Sequence, residues 1–480
     1  MVRCGGSTQV EVRSPQVTPA RSLFAFGGAA LDRVGAVSTS GRTALAPAWL
    51  ATSTALRALV VLIVLVVLFA PACGGPARSR PAALPSAQDH SGAGRQLRAL
   101  AWAHGNPLLA LNAPAGGDTA VMRGRLESPG RWSAELRGAA GALAAEDGGG
   151  LVIEHAGPAS ADALWFDPRV GPAATPDTSR RVPLRATDYV VVADAAMCGD
   201  GGAVIAGSFG GTLRVGSQVV STGGQRDGFV ARLDARGQVS LLLRMGGDGD
   251  DGFGAVDCRA DVLAVAGTFS QGAELRGALL QRMVARSPYA DAVVVLLRGG
   301  DVVWTRTFGG GQQDLAADLA LTARGDVAVV GVARGELAAG DVILEAQGQA
   351  DGYLARWSAA GDAQGALRLG GPDYDGASQV VALGERLIVG GFFTGTAELG
   401  GVPLTARGGD DAMLVTVRDG IPSATAISGD GREEIVSLVR AGEGVALGIA
   451  HTAGFAAWNV SAAPPADPLG GVTVVLVPSL

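Results

Sequence analysis

Cys198 and Cys258 are the residues whose type and spacing speak first. Each precedes a glycine, Gly207 or Gly267, by nine residues, at the same place in two copies of a repeated run of small and β-branched residues. Thiols at equivalent positions of neighbouring repeats bridge in an oxidising compartment when their Cα atoms come within about 7 Å. The plainer alternative is two separate buried small hydrophobes, and no CxxC or adjacent histidine directs the pair to metal or redox work. A second group is acidic and clusters at glycine turns: Asp248, Asp250 and Asp251 in GGDGDDG, Asp314 in GGGQQD, Asp373 and Asp375 in GGPDYDG, Glu433 and Glu434 in SGDGREE. Hard cations take oxygen ligands from tight loops, so Asp248, Asp250 and Asp251 are candidate Ca²⁺ ligands. The run lacks the alternating spacing and closing glutamate of a helix-loop-helix calcium loop, and its recurrence in every repeat favours turn capping and solubility. Catalytic constellations are scarce. His104, His155 and His451 are far apart without an HExxH partner, and there is no GxSxG or Walker loop. GGAVIAGSFGG is followed by no helix that would aim its N-terminus at a phosphate. Trp304, Trp357 and Trp458 occupy different places within the repeat, which favours packing over a sugar-stacking platform. No catalytic residue is expected, and no cofactor beyond Ca²⁺.

The elements that position these residues follow from composition. With 480 residues, 74 of them glycine, 48% hydrophobic and only 17% charged, the chain is neither wholly disordered nor, lacking a three-residue glycine period, collagenous. A formal charge of -7 without a basic run excludes a generic nucleic-acid binder.

Near the N-terminus, LRALVVLIVLVVLFAPACGG places Arg57 before an apolar run over residues 58–70, then Pro71 and Cys73. Thirteen residues rise only about 20 Å, short of a bilayer core of roughly 30 Å. Ala70 and Ala72 before Cys73, with Gly74 and Gly75 after it, make the segment resemble a bacterial lipoprotein signal. The resemblance implies cleavage before Cys73 and a diacylglyceryl group on its thiol. It departs from that family at Ala70, where leucine is usual, and at Pro71. Ordinary signal cleavage nearby, or a single-pass anchor over the uncharged stretch between Arg57 and Arg78, are the alternatives. Residues 1–54 fit no signal n-region and stand outside the fold; 55–73 read as the signal and 74–95, rich in Pro, Gly, Ser and Ala, as a tether. Gly74 offers no acidic inner-membrane retention signal, so the expected location is the outer membrane of the cell envelope, with a secreted or single-pass protein as the alternative.

The rest of the chain is repetitive. AVIAG ending at Gly207, LAVAG at Gly267, VAVVG at Gly331, LIVGG at Gly391 and VALG at Gly448 recur at intervals of 60, 64, 60 and 57 residues. About twenty residues after each comes a strand opened by Asp227, Asp291, Asp351, Asp411 or Gly471. Apolar strands closing on glycine form a third marker, at Gly247, Gly310, Gly371 and Gly429. Short apolar runs between Gly and Asp turns, without helical periodicity, predict about four strands per repeat. Such units bury both faces by radial stacking, which predicts an all-β fold: a β-propeller of five four-stranded blades. Trp165 in ALWFDPRVGP resembles Trp304 in VVWTRTFGG, so the strand near residue 163 is expected to close the blade begun at Gly444. Residues 96–162 are then a small β region or a divergent blade, and 163–480 the repeats.

The stretches AGSFGGTLRVGSQVVSTGGQRDGFVARLDARGQVSLLLRMGG (206–247) and GGFFTGTAELGGVPLTARGGDDAMLVTV (390–417) resemble the bacterial β-propeller repeat proteins. GELAAG in the third repeat and the insertion ALLQRMVARSPY in the second depart from that pattern. The resemblance implies a secreted or surface-anchored propeller with no established catalytic residues. The expected function is an envelope-anchored, non-enzymatic binding or scaffold module for a protein or glycan, tied to the membrane by its lipid and without nucleic-acid partners. The alternative is a polysaccharide-acting propeller hydrolase or lyase.

Overall fold

In the computed structural model the chain divides into Met1–Thr54 and Ala55–Leu480. The structure describes residues 65–67, 96–112, 121–126, 130–135, 139–168, 180–270, 272–276, 280–283, 290–399, 401–457, 460–462 and 471–477. Cys73 and the tether lie outside them. Among the described residues there is no α-helix, and the fold is all-β, built of antiparallel sheets.

Consecutive strands pair as up-and-down sets of four. Set one is Gln96–Ala103, Asn106–Asn112, Val121–Leu126 and Gly130–Glu135; set two is Ala139–Glu146, Gly149–Gly157, Ser160–Phe166 and Arg181–Ala186. Set three is Tyr189–Met197, Ala203–Gly210, Asp227–Leu233 and Val239–Gly246, and set four is Gly252–Arg259, Val262–Phe269, Asp291–Arg298 and Asp301–Phe308. Set five is Leu315–Leu321, Val327–Ala333, Asp351–Trp357 and Ala363–Leu369; set six is Gly376–Leu383, Arg386–Leu399, Val402–Arg418 and Ile421–Gly429. Set seven has three antiparallel strands, Glu433–Ala441, Gly444–His451 and Gly471–Val477, with Leu65–Val67 lying parallel beside the last of them.

Burial follows strand order. Second strands such as Val327–Ala333 and Gly444–His451 are buried at every position, the signature of a strand covered on both faces. Fourth strands such as Ile421–Gly429 begin with exposed and half-buried residues in alternation. Tight connections supply the reversals: Asp419 and Gly420, both at positive φ, join Arg418 to Ile421, as two-residue hairpin turns require.

The core is a series of layers between neighbouring sets. Trp165, Leu184, Phe209 and Phe229 join sets two and three; Trp304, Phe308, Tyr353 and Trp357 join four and five. Leu100 and Leu109 of set one pack with Ala446, Ala450 and Val474 of set seven. First strands touch in the same sequence, each against the next, and that of set seven against that of set one. From set three onward, hairpins between second and third strands lace each set to the one before. Thr212–Val215 pairs with Arg181–Ala186, Glu274–Arg276 with Val239–Gly246, and Phe455–Ala457 with the end of Ile421–Gly429.

The repeated glycines are explained by close approach. A Cβ on Gly331 would lie 1.8 Å from the Leu315 carbonyl oxygen, where a bulge in the first strand crowds the second. One on Gly310 would lie 1.6 Å from the carbonyl oxygen of Glu336, in the hairpin laced onto that set.

One expectation is corrected. The strand carrying Leu164, Trp165 and Phe166 does not complete the last set; it sits between Gly149–Gly157 and Arg181–Ala186 inside set two. Trp165 is therefore on a third strand and Trp304 on a fourth, and their likeness is not one of position. Antiparallel neighbours joined by short turns form before long-range partners, and residues 96–186 hold eight strands of their own. Seven sets result among the described residues, not five.

Candidate functional site

Cys198 and Cys258 are joined in a disulfide, with Cα atoms 4.9 Å apart. Both are buried at the ends of the first strands of sets three and four, and Ala260 N–H donates to the Cys198 carbonyl beside the bridge at 3.1 Å. The equal offset from the repeat glycine brought them together because adjacent first strands run side by side.

The three candidate calcium ligands do not converge. Asp248 and Asp250 are exposed, and Asp250 points to Arg226 at 3.7 Å. Asp251 is buried and accepts from Gly247 N–H at 3.0 Å and from Ser270 N–H and Oγ–H at 2.6 and 2.9 Å. Backbone donors and a guanidinium occupy the directions a cation would need, and among the described residues no group of three or more His, Cys, Asp or Glu is arranged to hold a metal. Burial, then the charge of Asp227, pushes the Asp251 carboxyl up to about 6.

Asp251 is one member of a repeated cap. Asp314 accepts from Gly310 N–H and Arg334 N–H, Asp375 from Gly371 N–H and Thr394 N–H, and Glu433 from Gly429 N–H. Each thus closes the turn that carries the glycine marker and, in three of the four, reaches the second strand of the set or the residue just after it. The repeated aspartates of the third strands do likewise: Asp227 accepts from Gly223 N–H, Asp351 from Gln347 N–H and Asp411, within Val402–Arg418, from Arg407 N–H.

Sequence reasoning missed a further set on the first strands. Asp194 accepts from Val256 N–H at 2.9 Å, Asp257 from Leu321 N–H at 2.8 Å and Asp318 from Val380 N–H at 2.7 Å, each donor belonging to the next set. Each carboxylate's other oxygen takes the N–H of the following residue. Gln379 repeats the arrangement with an amide, accepting from Leu438 N–H at 3.2 Å. These side chains clasp one set to the next. Burial pushes the Asp194 carboxyl up to about 6 and Asp318 well above the usual range. The charge of Asp194, two sets away, raises Asp318 next, and the charge of Arg98 lowers Asp194. The available signal was a lone Asp inside an apolar strand, VVADAAM, AVDCRA and LAADLAL, at spacings of 63 and 61 residues.

The histidines stay apart. His155 is pushed down to about 4 by burial and by Arg98, while His451 shares hydrogen bonds with the Ala453 carbonyl at 2.7 Å and Thr473 Oγ at 2.9 Å. Trp304 and Trp357 are packing residues: Trp304 Nε1–H donates to the Ala359 carbonyl and Trp357 lies 5.0 Å from Phe308. Trp458 lies outside the described residues. A cleft of about 500 Å³ is lined by Gly309, Gly310, Gly311, Gln312 and Glu336, without a paired acid and base.

No protein-family model matches the chain, and no curated protein does. Among the described residues no helix is long and apolar enough to cross a membrane.

Proposed function

We propose that the seven sets are the blades of a β-propeller around an axis lined by their first strands. We further propose that the exported protein is held at the bacterial envelope by a lipid on Cys73, with cleavage there removing Leu65–Val67 and leaving set seven its three antiparallel strands, and is a non-enzymatic binding module for a protein or glycan. The order of packing supports the propeller: layers run from each set to the next and from set seven to set one. Radial stacking covers both faces of every sheet and makes the second strands apolar throughout. The likeness of residues 206–247 and 390–417 to bacterial β-propeller repeats points the same way.

The observation that carries the functional reading is the use made of the acids. Asp251, Asp314, Asp375 and Glu433 hold turns, and Asp194, Asp257 and Asp318 hold neighbouring blades. A carboxylate whose lone pairs are filled by backbone N–H groups is poorly placed as a general base or nucleophile. The blades then act as a rigid frame, and recognition falls to the loops between them. The test is binding of the purified protein to isolated envelope fractions and an array of polysaccharides, with reducing ends and unsaturated products assayed in parallel. Saturable binding without turnover is expected. Cleavage of a polysaccharide would replace this reading with a hydrolase or lyase.

A further inference from the structure

At the junctions between neighbouring sets, a third-strand aspartate meets the acid that opens the next set: Asp227 with Asp251, Asp291 with Asp314, Asp351 with Asp375, Asp411 with Glu433. All eight are buried. A Cβ on Gly370 would lie 2.7 Å from both Asp351 Oδ1 and Asp375 Oδ2, which shows how closely two such carboxyls are held. Two junctions have a cation. Arg244 Nε–H donates to Asp227, and Arg368 lies 3.5 Å from Asp351; these arginines occupy the same place in their sets, opposite Phe229 and Tyr353. The same place in the other two junctions holds Thr307, opposite Val293, and Ala426, opposite Met413.

In the junction with Ala426, Asp411 Oδ1 and Glu433 Oε1 are both buried and neither has a donor. Two adjacent buried carboxylates without a counter-charge repel and cannot both ionise. A metal ion suits the place poorly, because Gly429 N–H and Arg407 N–H already point at the pair and a Cβ on Gly429 would meet Glu433 Oε1 at 2.8 Å. We propose that Asp411 and Glu433 share one proton, which stands where the arginine stands in the neighbouring junctions and is released as the surroundings turn alkaline. The O–H of one carboxyl donates to the unpartnered oxygen of the other, and on release the proton goes to solvent. Burial, followed by the charge of Asp411, pushes Glu433 up to about 7, against about 6 for Asp251 and Asp375 in the junctions that carry arginine. In the Asp291 and Asp314 junction, where Thr307 stands in the arginine's strand position, Asp314 is likewise pushed to about 7, by burial first.

Other titratable groups face the pair. Asp430 adds to the rise of Glu433, and His451 pairs opposite Glu433 in the sheet but is itself lowered by burial. Arg432 is bonded to Asp410, and Glu434 beside it is pushed to about 7 by burial, so it titrates in the same range. The experiment must therefore isolate Glu433. Infrared spectra of the full chain with isotope-labelled glutamate would be compared between wild type, Glu433→Gln and Ala426→Arg at pH 6 and pH 9. Wild type should show a neutral-carboxyl band at pH 6 that Glu433→Gln lacks, lost by pH 9, and Ala426→Arg should diminish it already at pH 6. Denaturant unfolding gives a second measure: the unfolding constant of wild type should rise from pH 5.5 to 8.5 by on the order of tenfold more than that of Glu433→Gln. Identical glutamate bands in wild type and Glu433→Gln would overturn the proposal. So would a Ca²⁺-dependent gain in stability at pH 8 that Glu433→Gln abolishes, since a cation would then hold the place.

Discussion

Asp318 shows how a residue can be essential by geometry and dispensable by charge. Its carboxyl spans two first strands through Val380 N–H, and burial and then the Asp194 charge push it well above the usual carboxylate range. Gln379 performs the same clasp with an uncharged oxygen. Asp318→Asn keeps an oxygen for Val380 N–H but turns its NH2 toward Leu319 N–H, so it should lose about 1 kcal/mol at pH 6, a deficit that shrinks by pH 9 as ionisation destabilises the wild type. Asp318→Ala, which leaves Val380 N–H unsatisfied, should lose about 1–3 kcal/mol in denaturant unfolding. The bridge between Cys198 and Cys258 closes 60 residues of sequence, and a loop of that size is worth at most about 4 kcal/mol. Replacing both cysteines by serine should cost about 2–4 kcal/mol, because the denatured chain regains the freedom of the loop that the bridge had closed. Two freely alkylated thiols in the purified wild-type protein would show that no bridge forms. The cysteine pair was legible in the sequence since one offset repeated twice. The clasping aspartates were not, because an acid within an apolar strand shows its partner only when the next strand is laid beside it.

At the scale of the element, the hairpins of sets four to seven lie against the glycine that closes the previous set. Gly310→Ala would drive a methyl group into the Glu336 carbonyl, so the strand Glu336–Ala339 must lift away from Gly309 and lose the bridge there. The expected cost is about 3 kcal/mol or more, and limited proteolysis should cut first near residues 334–346. Unchanged protease resistance would show that the hairpin has room to adjust. Strand identity was read correctly from runs such as VAVVG and DGYLARW, whose β-branched and small residues suit a strand covered on both faces. Strand partnership near the N-terminus was not. TAVMRGRLE and RWSAELRG lack the glycine markers that made later repeats visible, yet Val121–Leu126 and Gly130–Glu135 pair as a hairpin like the others.

For the whole molecule, closure between sets one and seven is the contact most worth breaking. A chain beginning at residue 139 would uncover Ala446, Ala450 and Val474, and it should associate in size-exclusion chromatography and melt lower than a chain beginning at residue 96. Equal behaviour of the two would mean that set one adds nothing to the stability of the rest. The buried acids set a pH dependence with a definite sign. Asp194, Asp251 and Asp375 are raised to about 6, and Asp314, Glu433 and Glu434 to about 7, above their unfolded values. Their contribution is fully present below the ordinary carboxylate range and is lost as pH rises through 6 to 7. His155, lowered to about 4, acts oppositely: its contribution is present above 6.5 and lost as pH falls toward 4. Thermal unfolding should therefore be latest near about pH 5 and earlier at pH 8. A melting temperature that climbs from pH 5 to pH 8 would contradict this balance.

The sequence by itself determined the all-β class and the period of about 60 residues and singled out the turn acids and the cysteine pair, since each rests on residue type at short or regular spacing; the bridge and the capping were decided by the structure. Tertiary structure alone decided the number of sets, the partner of each first strand and which acids face one another. Those depend on which apolar layer lies against which, and Trp165 and Trp304 show that two similar strands can take different places once neighbours compete for the same edge. The shared site of Asp411 and Glu433 has the same origin. Twenty-two residues separate them in the chain, and only stacking of one sheet on the next brings two carboxyls into one buried space where a proton must substitute for a missing arginine.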